Sequence, residues 1–239
     1  MSTRVLVADR DKVFIKGLKY SLEQDDYSVD IAYTVKETLE KIKKYNYDLL
    51  LLSLFLPDGN GFTLCQSIRK KSQVPIIVLL EKRVDINKVL ALENGADDYM
   101  VKPFNTLVLK AKMKAILRRI NMHNHNIDNQ VIKIDDFIVN TLGRRLIIGD
   151  KDIILTGKEF DLFYILASNP GRVFTREELL ETIWGYEYFG DLRTVDVHIR
   201  RLREKIEKDS RNVEYIHTKW GVGYYFKNKK KSKNSRAMD

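Results

Sequence analysis

The first half of the chain alternates short runs of strand character with longer amphipathic stretches. Residues 5–7, 28–31, 49–52, 76–79 and 99–101 have the length and side chains of strands. Residues 13–24, 35–44, 61–70, 86–94 and 107–120 carry apolar side chains at helical spacing, as in Leu39, Ile42 and Tyr45. Five such units over residues 1–120 predict an α/β domain with a five-stranded parallel sheet, doubly wound and flavodoxin-like. Domains of this kind place their sites at the carboxyl ends of the strands.

The pattern then changes. Residues 121–129 are polar without an apolar period and read as a linker. His123 and His125 within it have no cysteine nearby, so solvated linker fits better than a metal site. Alternating runs at 131–134, 137–140, 144–148 and 153–155 follow, with Gly143 and Gly149-Asp150 as turn signals. Helical stretches at 157–168, 176–184 and 194–208 come next, then a strand-like run at 213–219, a turn through Gly221 and Gly223, and Tyr224-Tyr225-Phe226. These predict a separate α+β domain over 130–227 and a basic tail, 228–239, expected to lack fixed structure.

Composition narrows the class. No apolar run approaches the roughly 18 residues needed to cross a bilayer, and the first residues lack a signal-peptide pattern. The one cysteine, Cys65, excludes an intrachain disulfide and fits a reducing compartment, so a cytoplasmic protein is expected. The net charge of +9 favours a polyanionic partner. Residues 1–120 hold 21 basic against 15 acidic side chains and residues 121–239 hold 21 against 18, so charge alone does not locate the binding face.

The helix at 194–208 does. Val195, Ile199, Leu202 and Ile206 form a narrow stripe for a core. Val197, Arg200, Arg201 and Glu204 are expected on the opposite side, where arginine can meet guanine edges or phosphates and valine a thymine methyl. Arg193, His198 and Arg203 are expected on the flanks, near phosphates. A merely solvated basic face is the alternative for this helix taken alone.

Longer motifs decide between these. Leu155-Thr-Gly-Lys-Glu-Phe160, Gly171-Arg-Val-Phe-Thr-Arg-Glu-Glu-Leu-Leu180, Ile183-Trp-Gly185, Arg193-Thr-Val-Asp-Val-His-Ile-Arg-Arg-Leu-Arg-Glu-Lys205 and Gly221-Val-Gly-Tyr224 resemble the winged-helix effector domain of OmpR/PhoB-type response regulators. The resemblance implies a recognition helix that includes Thr194, and a wing contacting double-stranded DNA through Thr218, Lys219 and Trp220. Trp220 stands where that family usually has arginine, which weakens the charge of the wing. The segment 187–192 matches the loop that such domains offer to RNA polymerase.

Asp48-Leu-Leu-Leu-Leu-Ser-Leu-Phe-Leu-Pro-Asp-Gly-Asn-Gly61, Gly95-Ala-Asp-Asp-Tyr99 and Lys102-Pro-Phe104 likewise resemble receiver domains. In that family an aspartate nucleophile, two further acids holding Mg²⁺, a Thr or Ser, and a Lys perform phosphotransfer. Here Ser53 takes the nucleophile's place, Asp9 and Arg10 replace an acidic pair, and Leu80 replaces the hydroxyl. Asp9, Asp11, the switch aromatic Tyr99 and Lys102 match. Two carboxylates against two cations leave the pocket near neutrality, so no cofactor and no Mg²⁺ are expected. Asp9 is expected to pair with Lys102 or Arg10.

The resemblance also implies a receiver dimer face, here Lys88, Glu93, Asp97, Asp98, Lys112, Lys114 and Arg119, with exposed helix charges as the plain alternative. The reading is a non-enzymatic, phosphorylation-independent transcription regulator, dimeric on repeated half-sites and without a membrane partner. One alternative is a conventional regulator phosphorylated by a histidine kinase. Another is a receiver pocket that senses a small molecule or a protein.

Overall fold

A computed structural model describes residues 2–81, 85–122, 131–141, 143–185, 191–209 and 212–228, without the side chains of 85–86 and 118–122. Most of the linker, including His123 and His125, residues 187–190 of the polymerase-facing loop, the tail from 229 and the Arg119 side chain lie outside this description. The chain divides into two compact units, Met1–Arg118 and Arg119–Asp239.

The first unit runs β1 (Arg4–Ala8), α1 (Lys12–Glu23), β2 (Ser28–Ala32), α2 (Val35–Lys44), β3 (Leu49–Ser53), a short hairpin of β4 (Phe55–Leu56) and β5 (Gly59–Asn60), α3 (Gly61–Arg69), β6 (Ile76–Leu80), α4 (Asp85–Glu93), β7 (Asp98–Val101) and α5 (Thr106–Met122). Its sheet has the order β2-β1-β3-β6-β7, all parallel. Every residue of β3 and β6 is buried, and helices on both faces explain why these strands read as continuous apolar runs. The order reverses between β1 and β3, so the residues that follow these strands meet at the switch point. The sequence missed the β4–β5 hairpin, whose strands are two residues each. It also ended the last helix early, because α5 continues through Met122 into the expected linker.

The second unit opens with an antiparallel sheet of β8 (Val131–Ile134), β9 (Phe137–Asn140), β10 (Arg145–Ile148) and β11 (Lys151–Ile153). Then come α6 (Gly157–Ala167), β12 (Phe174–Thr175), α7 (Arg176–Trp184), α8 (Arg193–Ile206), β13 (Ile216–Lys219) and β14 (Gly223–Phe226). Thr156 with Glu159 and Thr175 with Glu178 form capping boxes that start α6 and α7. Phe137, Phe163, Tyr215 and Phe226 pack as an aromatic centre between sheet and helices. β12, β14 and β13 form the second small sheet, and the β13–β14 hairpin is the wing. A Cβ at Gly223 would come within 1.9 Å of the Phe174 carbonyl oxygen, so only glycine lets β12 and β14 approach this closely.

Candidate regulatory pocket and nucleic-acid interface

The end of β1 places Asp9 in the interior, where it is fully buried. Its Oδ2 pairs with the Lys102 ammonium, and its Oδ1 accepts a hydrogen bond from the Asp11 backbone N–H at 2.9 Å. The Lys102 ammonium also lies 4.0 Å from the centroid of the Phe14 ring. Arg10 turns elsewhere: its guanidinium meets Glu81 at 3.0 Å and lies 6.0 Å from the Phe55 ring centroid. Asp11 is the N-cap of α1 and accepts from Phe14 N at 3.0 Å and Val13 N at 2.9 Å. The bond from Phe14, with that from Val13 and nearby cations, holds the Asp11 carboxyl below its usual range.

Ser53, at the end of β3, is fully buried, and its Oγ has no hydrogen-bond partner among the described residues. A hydroxyl without a base within reach is not a nucleophile, and an unsatisfied one costs about 1–3 kcal/mol. Gly61 packs against the same strand end; a Cβ there would fall 2.4 Å from the Ser53 carbonyl oxygen. Leu80 is 1% exposed and offers no donor. Tyr99 is buried, with the Lys112 ammonium 6.0 Å from its ring centroid.

These donors do not fit a divalent cation. One Asp9 oxygen faces an ammonium, Asp11 caps a helix, residue 10 is an arginine directed to Glu81 where the family has an acid, and the strand-end group is a hydroxyl. Glu81, which the charge count from sequence omitted, supplies the counter-charge for Arg10. Beside the pocket, a groove of about 520 Å³ runs between α1 and the start of α5, lined in part by Phe14, Gly17, Glu81, Lys102 and Phe104.

The expected dimer face needs correction at two residues. Asp97 is 2% exposed, pairs with Arg69 and accepts from Ile76 N at 2.9 Å. Asp98 is 1% exposed and pairs with Lys112 at 2.8 Å. Both flank the start of a buried strand, so their charges are satisfied inside the unit. Glu93 and Lys114 are exposed and Lys88 is half-buried.

On α8 the apolar stripe is as expected: Val195, Ile199, Leu202 and Ile206 are all buried. The opposite side differs from the expectation. Arg200 is exposed and pairs with Glu204 at 3.1 Å, but Val197 and Arg201 are buried. Arg201 folds back onto α6, where it meets the fully buried Glu159 at 2.8 Å. Thr194 and His198 are also fully buried, with His198 Nδ1 2.8 Å from the Thr194 carbonyl oxygen and its ring edge-on to Trp184. Arg203 is half-buried and donates to the Ile216 carbonyl and Thr218 Oγ1, which ties the wing to the helix. Arg193, Lys219 and Trp220 are exposed, Trp220 at 89%. Helical spacing gives the direction of a Cβ; it does not show where a long side chain ends, and that is why Arg201 and Arg203 were misread. In the sequence Glu159 stood only as one residue of the motif from Leu155 to Phe160.

The family comparisons agree with this architecture. Residues 5–114 match the model for the response regulator receiver domain, and residues 150–226 match the model for the C-terminal domain of transcriptional regulatory proteins. The solved response regulator DrrB, a Thermotoga maritima OmpR/PhoB homolog, is 33% identical, with 95% of this chain and 100% of that chain covered and a TM-score of 0.50. Two solved point variants of RitR are 26% identical over 95% of this chain and 99% of theirs, with TM-scores of 0.76 and 0.77. The chain belongs to the OmpR/PhoB family of response regulators. It is a receiver joined to a DNA-binding winged helix. Among the described residues no helix is long and apolar enough to cross a membrane.

Proposed function

We propose that this regulator controls transcription without aspartate phosphorylation, its receiver being held in one state by the Asp9–Lys102 pair. That pair carries the reading, because it commits the carboxylate and the ammonium that phosphotransfer would require. Ser53 cannot form an acyl phosphate, Leu80 offers no hydrogen bond to phosphoryl oxygens, and Asp9 and Asp11 as placed make a poor ligand set for Mg²⁺ among the described residues. Output is then set by the protein's own concentration or by a partner.

The winged helix meets duplex DNA through α8 and the wing, with Arg193, Arg200, Lys219 and Trp220 as the exposed contacts. A symmetric dimer through the α4–α5 side of the receiver, where Glu93 and Lys114 are exposed, matches repeated half-sites. RNA polymerase is the expected second partner. Selection of bound duplexes from a random pool by untreated protein tests this reading. Recovery of a repeated motif supports it; recovery only after treatment with acetyl phosphate and Mg²⁺ contradicts it. The groove beside Lys102 gives a second reading, a small ligand bound next to the silent pocket.

A further inference from the structure

Two cations on α8 converge on one carboxylate. Glu159 is fully buried; its Oε1 lies 2.8 Å from Arg201 and its Oε2 2.6 Å from Lys205, while Oε2 also accepts from Thr156 N at 2.8 Å. At 3.6 residues per turn, Arg201 leaves α8 about 130° from the centre of the apolar stripe, so its side chain starts on the outer flank. Its guanidinium nevertheless ends against α6, with a side-chain exposure of 10%.

We infer that Glu159 competes with DNA for Arg201, holding the guanidinium in an internal pair that a correctly seated duplex displaces. The inference rests on α8 being the DNA-facing helix. Three features support it. Glu159 has two cationic partners, so when Arg201 leaves Oε1 the carboxylate keeps Lys205 and Thr156 N on Oε2. Lys205 leaves the helix nearer to α6 and needs no such reversal. Burial raises the Glu159 pKa, but Arg201 and Lys205 outweigh burial and hold the carboxyl below its usual range, so mild acid does not release the arginine. Arg201 therefore contributes to discrimination between duplexes more than to general affinity.

The test uses the full chain, a random-sequence duplex and the duplex selected from a random pool. R201M is expected to leave the random-duplex Kd within about two-fold, while the selected duplex weakens about ten-fold. E159Q keeps an acceptor for Thr156 N and frees the arginine. It is expected to tighten random-duplex binding about three- to ten-fold and to steepen the salt dependence by about one phosphate contact. Adding R201M to E159Q should abolish that gain. Equal weakening of both duplexes by R201M overturns the inference, as does a folded E159Q protein that binds the random duplex no more tightly. If E159Q does not fold, the R201M arm decides alone. If the wild-type chain binds neither duplex, the DNA-facing reading of α8 fails and this inference with it; wild-type binding without the variant pattern removes the inference alone.

Discussion

Lys102 closes the receiver pocket on Asp9: its ammonium is ion-paired with a carboxylate that has no exposed surface, against the face of Phe14. The pair joins the residue after β1 to the residue after β7 across the carboxyl edge of the sheet.

Removing one partner leaves the other charge buried and uncompensated. Lys102→Met should cost about 3–5 kcal/mol of receiver stability. Asp9→Leu combined with Lys102→Met should recover most of that loss. Arg10→Met removes a pair that is largely exposed and should cost less than about 1 kcal/mol. Urea unfolding followed by a receiver-specific signal checks all three.

Mg²⁺ should not stabilise the receiver. Melting curves in chelator and in millimolar Mg²⁺ are expected to coincide. A clear rise in Tm with Mg²⁺ would mean that Asp9 and Asp11 still offer a ligand set.

Ser53→Asp alone should not restore phosphorylation. The new carboxylate would still face a pocket in which arginine replaces one of the acidic pair and Asp9 is paired to Lys102. Incubation with acetyl phosphate and Mg²⁺ should give no acid-stable, base-labile adduct. An adduct on this single variant would show that the pocket retains its metal chemistry.

The wing carries a pH dependence at high pH. Burial, with the hydrogen bond that Tyr224 donates to Asp196 at 2.7 Å, pushes the phenol from its ordinary 10.0 to about 12. A folded-state pKa raised above the unfolded one contributes stability that is complete below pH 10 and lost as pH rises towards 12. Tyr224→Phe should therefore flatten the alkaline decline of the winged-helix melting temperature between those values.

Much of the fold was legible from sequence. Strands buried on both faces read as short apolar runs, as at residues 49–52, and the helices between them read from their apolar spacing. The departures from the receiver pattern were legible too, because Ser53, Arg10 and Leu80 differ in chemistry from what phosphotransfer needs. Long side chains were not. Arg201 and Arg203 leave α8 towards the flanks yet end on Glu159 and on the wing. Asp97 and Asp98 looked like surface charges until Arg69 and Lys112, distant in sequence, were seen to enclose them.

The most direct test of the account is one titration. The full chain is bound to its selected duplex before and after incubation with acetyl phosphate and Mg²⁺, with the same protein checked for adduct. The account predicts no adduct and Kd values that agree within about two-fold, a difference below roughly 0.5 kcal/mol. A base-labile adduct accompanied by about ten-fold tighter binding would contradict it.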